Sequence, residues 1–379
     1  MKPVEVAYFQ QNIAFGATEY YLYDLAENVD RKKFRVHLIC SDSQMLDAFE
    51  NLKAHDVIVH RYPERFCTGS AAKGIYGFRE LFRCIKPTIV HFNDICIRGL
   101  LAARIARVPV SVMTHHTPEL NHQYSRLGRL AERLAFLSAS YVIFPCEPSR
   151  ELSIRKDGVS PNHSQAIPYG LRPDWFHPAE TPKTNIRQAL NIPDGHTVVL
   201  TAGRLCAQKR PDIFVEAARH VLKKTDRATF LLAGEGELRP QLEQIIGAAG
   251  INNNCRLLGH RYDMRDLMSA CDIFVMCSDF EGICYAVLEA SARGLAIIAS
   301  NVGGLRFSVV EGETGLLVPP SDPIALAAAL DGLIANPAQI RKLGESGNRR
   351  ARLLFTLNRM MEETQSCYLS LLQQCMIAC

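Results

Sequence analysis

Short apolar runs alternate with stretches of helical period along almost the whole of this 379-residue chain, and that alternation leaves few folds open to it. In the first half the apolar runs fall at residues 4–9, 36–40, 57–60, 88–91, 110–114 and 141–144. Helical patterns such as 19–29 and 74–85 separate most of them. A strand, a helix and a strand in that order build a parallel sheet, because the crossover returns over one face before the next strand begins. Residues 166–170 read as one more short strand ending in a turn. Between 168 and 193 the pattern stops, in a stretch with five prolines and the only tryptophan, Trp175. It reads as a linker. Alternation then resumes at 196–202, 229–233, 256–258, 272–276, 296–299 and 315–318. A long helical segment follows from about residue 324, broken near Pro337 and near Phe355, and Asp322-Pro323 is a good start for it.

The expected architecture is therefore α/β, with two doubly wound Rossmann-like domains at 1–168 and 195–354, a linker at 169–194 and a terminal helix at 355–379. Two such domains are expected to face one another across a cleft at the carboxyl ends of their sheets, where ligands bind.

Composition excludes more than it assigns. The chain is 47% hydrophobic and 22% charged, with a net charge of +4, an ordinary soluble balance that suits an anionic ligand without demanding one. Nothing in it points to nucleic acid. The opening MKPVEVAYF reads as a strand rather than a signal peptide, and no run reaches the 18 or so apolar residues of a membrane span. A cytoplasmic protein is expected. Thirteen cysteines are scattered without a CxxC pair, and Cys271, Cys277 and Cys284 are too unevenly spaced for a zinc site. They read as small buried hydrophobes in a reducing compartment, and no metal is expected. Cys367, Cys375 and Cys379 lie in the terminal helical segment.

Several clusters carry chemistry. In TAGRLCAQKRPD, Gly203 and Arg204 follow a strand and Lys209 precedes the helix opened by Pro211. Two cations on the loop at the carboxyl end of a strand suit a diphosphate: arginine offers a planar fork and lysine a point charge. Downstream, residues 279–317 read DFEGICYAVLEASARGLAIIASNVGGLRFSVVEGETGLL. Glu281 and Gly282 lead into a helix opening around Cys284, so the amides of Gly282, Ile283, Cys284, Tyr285 and Ala286 lie at a helix start, where the first few have no intrahelical acceptor. Glu289 sits within that helix among Val287, Leu288 and Ala290. A carboxylate there can accept two hydrogen bonds from a vicinal diol. His115, with His116 beside it, ends the run at 110–114.

The block from Asp279 to Leu317 resembles the donor-binding core of the family-4 retaining glycosyltransferases (glycosyl transferases group 1), whose pattern runs roughly EGFGLxxLEAMACGxPVIAS, then GGxxE, then G.TG.LV. Ala290, Gly294, Ile297, Ile298, Gly303 and Gly304 fall in register with it. The resemblance extends over essentially the whole chain and implies the GT-B fold, with the terminal helix crossing back onto the N-terminal domain. It implies that Arg204 and Lys209 clamp the donor diphosphate and that Glu281 contacts the transferred sugar. Glu289 would take the ribose hydroxyls, and His115 would lie near the donor sugar and leaving group. Phe15 to Leu22, FGATEYYL, resembles the GGxE loop whose glycine amide approaches the donor phosphate; Gly16 matches the first glycine and Ala17 replaces the second. Leu258-Gly259-His260-Arg261 matches the loop whose backbone reads the base, so His260 and Arg261 join the donor site while the base, UDP or GDP, stays open. Cys284 replaces a glycine, and Phe307 stands where GGxxE carries glutamate, which implies a modified donor site or an unusual sugar.

What the resemblance implies overall is a metal-independent, cofactor-free, retaining transfer of a hexosyl-type group from a nucleotide-diphosphate sugar to an acceptor hydroxyl. Glycan, glycolipid or cell-surface polysaccharide synthesis is the expected setting, with a glycan, a lipid-linked sugar or a small molecule as acceptor. Two other readings stand beside it: a non-catalytic sugar-nucleotide binder, degenerate at Ala17 and Phe307, and a sugar-nucleotide epimerase of the same architecture, which would lack the Glu281 block. Gly234-Glu235-Gly236 followed by Arg239 mimics a dinucleotide fingerprint, but its third glycine is missing and no acidic residue ends the next strand. Finally, Arg126, Arg129 and Arg133 recur at helical spacing beside Leu127, Leu130, Leu134 and Leu137. A solvated amphipathic helix accounts for this stripe; a seat on the inner face of an anionic membrane, or a cradle for an acidic acceptor, is the second reading.

Overall fold

The computed structural model describes residues 2–12, 16–116 and 126–378. They divide into two compact units. Met1–Tyr169 together with Leu357–Cys379 form unit 1, and Gly170–Thr356 form unit 2.

Unit 1 holds a seven-stranded sheet in the order β3-β2-β1-β4-β5-β6-β7, parallel throughout. Its strands are β1 Val4–Gln10, β2 Phe34–Ser41, β3 Val57–Tyr62, β4 Ile89–Asn93, β5 Val110–Thr114, β6 Tyr141–Phe144 and β7 Ser164–Ala166. β4 and β5 are buried along their whole length, so their polar residues, His91, Asn93, Ser111 and Thr114, lie inside the unit. The last strand ends at Ala166, where one was expected to begin. Its sequence, Ser-Gln-Ala, carries no apolar signal, and pairing of Ser164 with Val142 sets its place at the sheet edge. The helix Leu357–Ala378 belongs to this unit: Tyr368 is fully buried, bonded to His91 and edge-on to Phe34, and Gln365 accepts from the Asp30 amide at 2.9 Å.

Unit 2 holds six parallel strands, β8 Thr197–Ala202, β9 Ala228–Ala233, β10 Cys255–Gly259, β11 Ile273–Met276, β12 Ala296–Ser300 and β13 Gly315–Val318, in the order β10-β9-β8-β11-β12-β13. Two apolar clusters cover its faces, one around Phe214, Phe230 and Leu330, the other around Leu231, Phe274 and Val287. The stretch read as a linker is folded structure of this unit. It forms a short turn of helix at Pro173–Phe176 and the helix Lys183–Ala189, and Arg187 pairs with Asp272 at 2.6 Å. Proline density suppressed its apolar period, not its packing.

In each sheet the strand order reverses once, between β1 and β4 in unit 1 and between β8 and β11 in unit 2. Two loops diverge at such a point and leave a crevice at the carboxyl ends, so the loops after these four strands are where a ligand site forms.

Candidate active site

In unit 2 the loop after β8 carries Gly203, Arg204 and Lys209. Gly203 has φ +153°, open to glycine but strained for a side chain. The loop is held by its neighbour after β9: Gly203 N donates to Ala233 O at 3.0 Å, and Leu205 N to Glu235 O at 2.9 Å. A Cβ on Gly234 would stand 1.9 Å from Gly203 O, and one on Gly236 would stand 2.4 Å from Leu205 O. The glycines that mimic a dinucleotide fingerprint thus let two backbones touch, and they set the position of the Arg204 loop.

Arg204 is exposed. Lys209 turns inward and its ammonium bonds Glu281 Oε1, which also accepts from Ser278 Oγ at 2.8 Å. Burial alone would depress the Lys209 ammonium, but Cys284 and the Glu281 carboxylate beside it win, and its pKa is raised. Lys209 therefore stays charged throughout the physiological range. Arg210 adopts a left-handed conformation (φ +48°), held by Asp212 at 2.9 Å and Asp279 at 3.4 Å, and it turns the chain into the helix Pro211–Leu222.

Glu281, Gly282, Ile283 and Cys284 form the loop after β11, all four of them buried, and Cys284 caps the helix Tyr285–Ala292. Val287 N closes onto Cys284 O at 3.0 Å, so the amides of Tyr285 and Ala286 precede the first intrahelical bond. The Cys284 thiol packs into the apolar cluster with Val287 and Ala290, and burial pushes it up to about 11. It stays protonated and leaves its backbone for other use, so cysteine in place of the family's glycine is accommodated. Gly304 N donates to Glu281 O at 2.9 Å, tying the Gly-Gly turn to the same loop.

Glu289 is half-buried, and burial, with Asp174 adding repulsion, pushes its carboxyl up to about 7. Asp174 was not anticipated as a neighbour; it comes from the proline-rich stretch. Phe307 lies edge-on to Phe355 at 6.0 Å, the Arg350 guanidinium sits 5.6 Å over its ring, and Arg350 donates to Phe307 O at 2.9 Å. The aromatic face occupies the place beside Arg350. At the end of β10, Gly259 (φ +70°) turns the chain, the His260 ring lies 4.6 Å from that of Tyr262, and Arg261 bonds Asp263 at 2.8 Å.

Unit 1 places the remaining expected residues. Gly16 is extended (φ −156°), but a Cβ there would lie 3.3 Å from the Glu19 carboxylate. Ala17 opens the helix Ala17–Asn28 and is not among the residues of positive φ, so alanine fits the second glycine's place without strain. Phe15 lies outside the described residues. Glu19, 3% exposed, accepts from Gln10 at 2.6 Å, Asn12 at 2.9 Å and Thr18 at 3.0 Å. From Gln10 the network continues through Asn93 (2.6 Å) to His116 (2.8 Å) and on to the Tyr169 hydroxyl. Burial pushes His116 down to about 4, so it is neutral; Nε2–H donates to Asn93 Oδ1 and Nδ1 accepts from Tyr169.

His115, expected at a rim, is 1% exposed. Its Nδ1 donates to Asp94 Oδ1 at 3.1 Å and its Nε2 lies 3.7 Å from Glu132 Oε1. Asp94 went unrecognised in the sequence. It follows β4 with φ +79°, costly for a non-glycine residue, and Ile95 N bonds its side chain at 2.9 Å. Burial works to raise its carboxyl, but His115 overrides this and holds it below its ordinary value. The side chains of Arg126 and Arg129, and residues 117–125 after the histidine pair, lie outside the described residues.

Residues 18–175 match the model of Glycosyltransferase Family 4, and residues 182–350 match that of the glycosyl transferases group 1. Alpha-D-kanosaminyltransferase of Streptomyces kanamyceticus is 27% identical over 259 residues, 65% of this chain and 66% of that protein. The UDP-Gal:alpha-D-GlcNAc-diphosphoundecaprenol alpha-1,3-galactosyltransferase of Escherichia coli is 27% identical over 305 residues, 78% of this chain and 79% of its own length. The lipopolysaccharide core biosynthesis mannosyltransferase LpcC of Rhizobium leguminosarum bv. viciae is 32% identical over 211 residues, 54% of this chain and 59% of its own length. The chain thus spans from about three fifths to four fifths of these relatives. Among solved structures, Anabaena Alr3699/HepE superposes with a TM-score of 0.84 at 22% identity, covering 97% of this chain and all of that one. Both sheets, both family models and the shared fold agree: the chain is a GT-B glycosyltransferase, belonging to family 4 in its first half and to the glycosyl transferases group 1 in its second.

Proposed function

We propose that this protein transfers a glycosyl group from a nucleoside-diphosphate sugar to an acceptor hydroxyl with retention of configuration, without metal, and that unit 2 holds the donor. The observation that carries this reading is the Lys209–Glu281 pair at the switch point of unit 2, with exposed Arg204 on the same loop as Lys209. As the glycosidic bond breaks, negative charge grows on the departing diphosphate. Lys209, Arg204 and the amides at Tyr285 and Ala286 are prearranged to meet it, so the stabilisation is greatest where the charge is greatest. Glu281, bonded by Lys209 and Ser278, faces the same loop as a carboxylate able to accept from the sugar's hydroxyls. Glu289 takes the ribose diol. The acceptor oxygen then bonds the anomeric carbon on the face the leaving group vacates, and its proton passes to the departing diphosphate.

Unit 1 takes the acceptor, with His115 and Asp94 as a hydrogen-bonded pair at the end of its sheet. A lipid-linked sugar is the acceptor class we favour, in the synthesis of a glycan or cell-surface polysaccharide; the Escherichia coli relative's name specifies a diphosphoundecaprenol-linked acceptor. A surface feature of unit 1 agrees with that choice. Leu130, Leu134 and Leu137 are 54%, 50% and 76% exposed on the helix Arg126–Ser138, and Ile105 on the helix packed against it is 56% exposed. Arg104, Arg107, Arg133, Arg155 and Lys156 are exposed around them. Apolar side chains ringed by cations fit the inner face of an anionic bilayer. Among the described residues no single helix is long and apolar enough to cross a membrane.

A thermal-shift screen against UDP, GDP, ADP and dTDP, repeated with Lys209→Ala, tests the donor site. One diphosphate is expected to raise the melting temperature of the wild type and not of the variant, which also identifies the base. No shift with any of the four would replace transfer by the non-catalytic reading. Sedimentation with anionic vesicles, lost on changing Leu134 and Leu137 to Asp, tests the membrane seat; binding unchanged by that double variant would remove it.

A further inference from the structure

The switch point of unit 1 carries chemistry that glycosyl transfer does not use. A cavity of about 470 Å³ opens there, and its lining includes Asn12, Glu64, Cys67, Cys96 and Arg98. Cys67 comes from the short helix Arg65–Thr68 after β3, and Cys96 caps the helix Ile97–Ile105 after β4. Two segments distant in sequence thus bring two thiols to the lining of one cavity. Cys67 is half-buried, while Cys96 is 3% exposed and its Sγ accepts from Gly99 N at 3.4 Å. The Tyr62 hydroxyl lies 3.5 Å from Cys67 Sγ. The short helix is held in place from below. A Cβ on Gly74 would stand 2.2 Å from Phe66 O, and one on Gly77 would stand 2.4 Å from the Phe66 ring. Arg98 donates to Phe66 O at 2.9 Å, which brings a cation to the same wall.

The two sulfurs are not equivalent. The neighbouring Cys96 thiol favours the Cys67 thiolate; burial and Glu64 work against it, and Tyr62 and Arg98 help it, so that Cys67 is pushed down to about 7. Cys67 beside it, with burial, pushes Cys96 well up. An accessible thiolate beside a buried thiol is the arrangement of an attacking and a resolving sulfur.

We propose that Cys67 and Cys96 form a reversible thiol–disulfide pair, with Cys67 as the attacking sulfur and a low-molecular-weight disulfide as co-reactant. The Cys67 thiolate attacks one sulfur of the small disulfide, forming a mixed disulfide and expelling one small thiolate, which takes up a proton. Cys96 then gives its proton to solvent and attacks Cys67 Sγ; the Cys67–Cys96 bond forms and the second small thiolate leaves. Two protein thiols are oxidised and one small disulfide is reduced to two thiols. The new bond ties the segment after β3 to the start of the helix after β4, within the lining of the cavity.

The test is exposure of the intact protein to glutathione disulfide, followed by mass spectrometry, in a Cys84→Ser background that removes the exposed thiol nearest Cys96 in sequence. The expected product has lost about two mass units, carries a peptide link between Cys67 and Cys96, and reverts with dithiothreitol. With Cys96→Ser, one glutathione is expected to remain on Cys67. With Cys67→Ser, no adduct is expected at Cys96. A glutathione retained on Cys67 in the background protein, a link between other cysteines, or no reaction at either sulfur would each overturn the proposal. The linkage map of the background protein decides the matter even where a serine variant folds poorly.

Discussion

The two sheets share a topology and a switch point but use it in opposite ways. In unit 2 the crevice loops hold charge: Lys209 against Glu281, and Arg204 exposed. In unit 1 the equivalent loops are joined by a buried chain of largely neutral hydrogen bonds, Tyr169–His116–Asn93–Gln10, that ends on the Glu19 carboxylate. The first arrangement is suited to meeting an anion that arrives and leaves. The second gives a loop one shape, because every member is satisfied only in that shape. A shared fold supplies the crevice; the residues lining it decide whether it binds charge or holds a conformation.

Changes in unit 2's charged loops are expected to have the largest effect. Lys209→Ala leaves Glu281 buried without its cation and, on the proposed reading, removes a charge that meets the diphosphate. Turnover is expected to fall by roughly a hundred- to a thousand-fold, the usual cost of losing one such group. Glu281→Ala should behave alike. A steady-state assay with a donor that stabilises the wild type checks both, and near-normal turnover in either would contradict the contrast drawn between the units.

Next comes the support of that loop. Gly234→Ala forces a methyl against Gly203 O, a contact no side chain accepts, so the loop must move. Weaker nucleoside-diphosphate binding by calorimetry and a lower melting temperature are expected together. A variant that binds as the wild type does would show that the Arg204 loop takes its position from elsewhere.

A change in unit 1's network should cost stability and spare the donor. Asn93→Leu leaves His116 and Gln10 without a shared partner, and each buried unsatisfied group costs about 1–3 kcal/mol. Denaturant unfolding is expected to show that loss, while the dissociation constant for the diphosphate on unit 2 stays put. A donor affinity that falls with it would join the two sites energetically and break the comparison.

The smallest effect concerns pH. Burial raises the Glu289 carboxyl to about 7, so it is protonated below that value and ionised above it. On the proposed reading Glu289 takes the ribose diol, and only its carboxylate accepts from both hydroxyls, so nucleotide affinity should rise between about pH 6 and pH 8, by up to about tenfold. The sign for folding is the reverse. A carboxyl with a raised folded-state pKa holds its proton longer in the folded chain, so its contribution to stability falls as pH climbs from the unfolded value through 7. Titration calorimetry on wild type and Glu289→Gln checks it: the variant's affinity should be flat over that window.

Much of this was written in local sequence. Apolar runs of strand length between helical periods sufficed for two parallel sheets, since burial on both faces leaves a continuous apolar signature. The loop residues of unit 2 were legible because their chemistry is compressed into short segments, GRLCAQK and EGICYAVLE. Ser164–Ala166 was misplaced because an edge strand needs no apolar sequence. The structured character of 169–194 was hidden because prolines erase periodicity without preventing contact.

What sequence alone determined was the order of elements, the family and the residue types on the loops after β8 and β11, since these rest on neighbours along the chain. Only tertiary structure decided which distant groups meet. It put Lys209 on Glu281, Asp174 near Glu289, His115 between Asp94 and Glu132, and Cys67 and Cys96 on the lining of one cavity. It also gave Gly234 and Gly236 their purpose as points of backbone approach, and Phe307 a guanidinium in place of a ligand. The physical reason is range. Propensity and hydrophobic period act over a few residues, whereas a pKa, an ion pair or a steric contact depends on distances set only after the crossovers have packed.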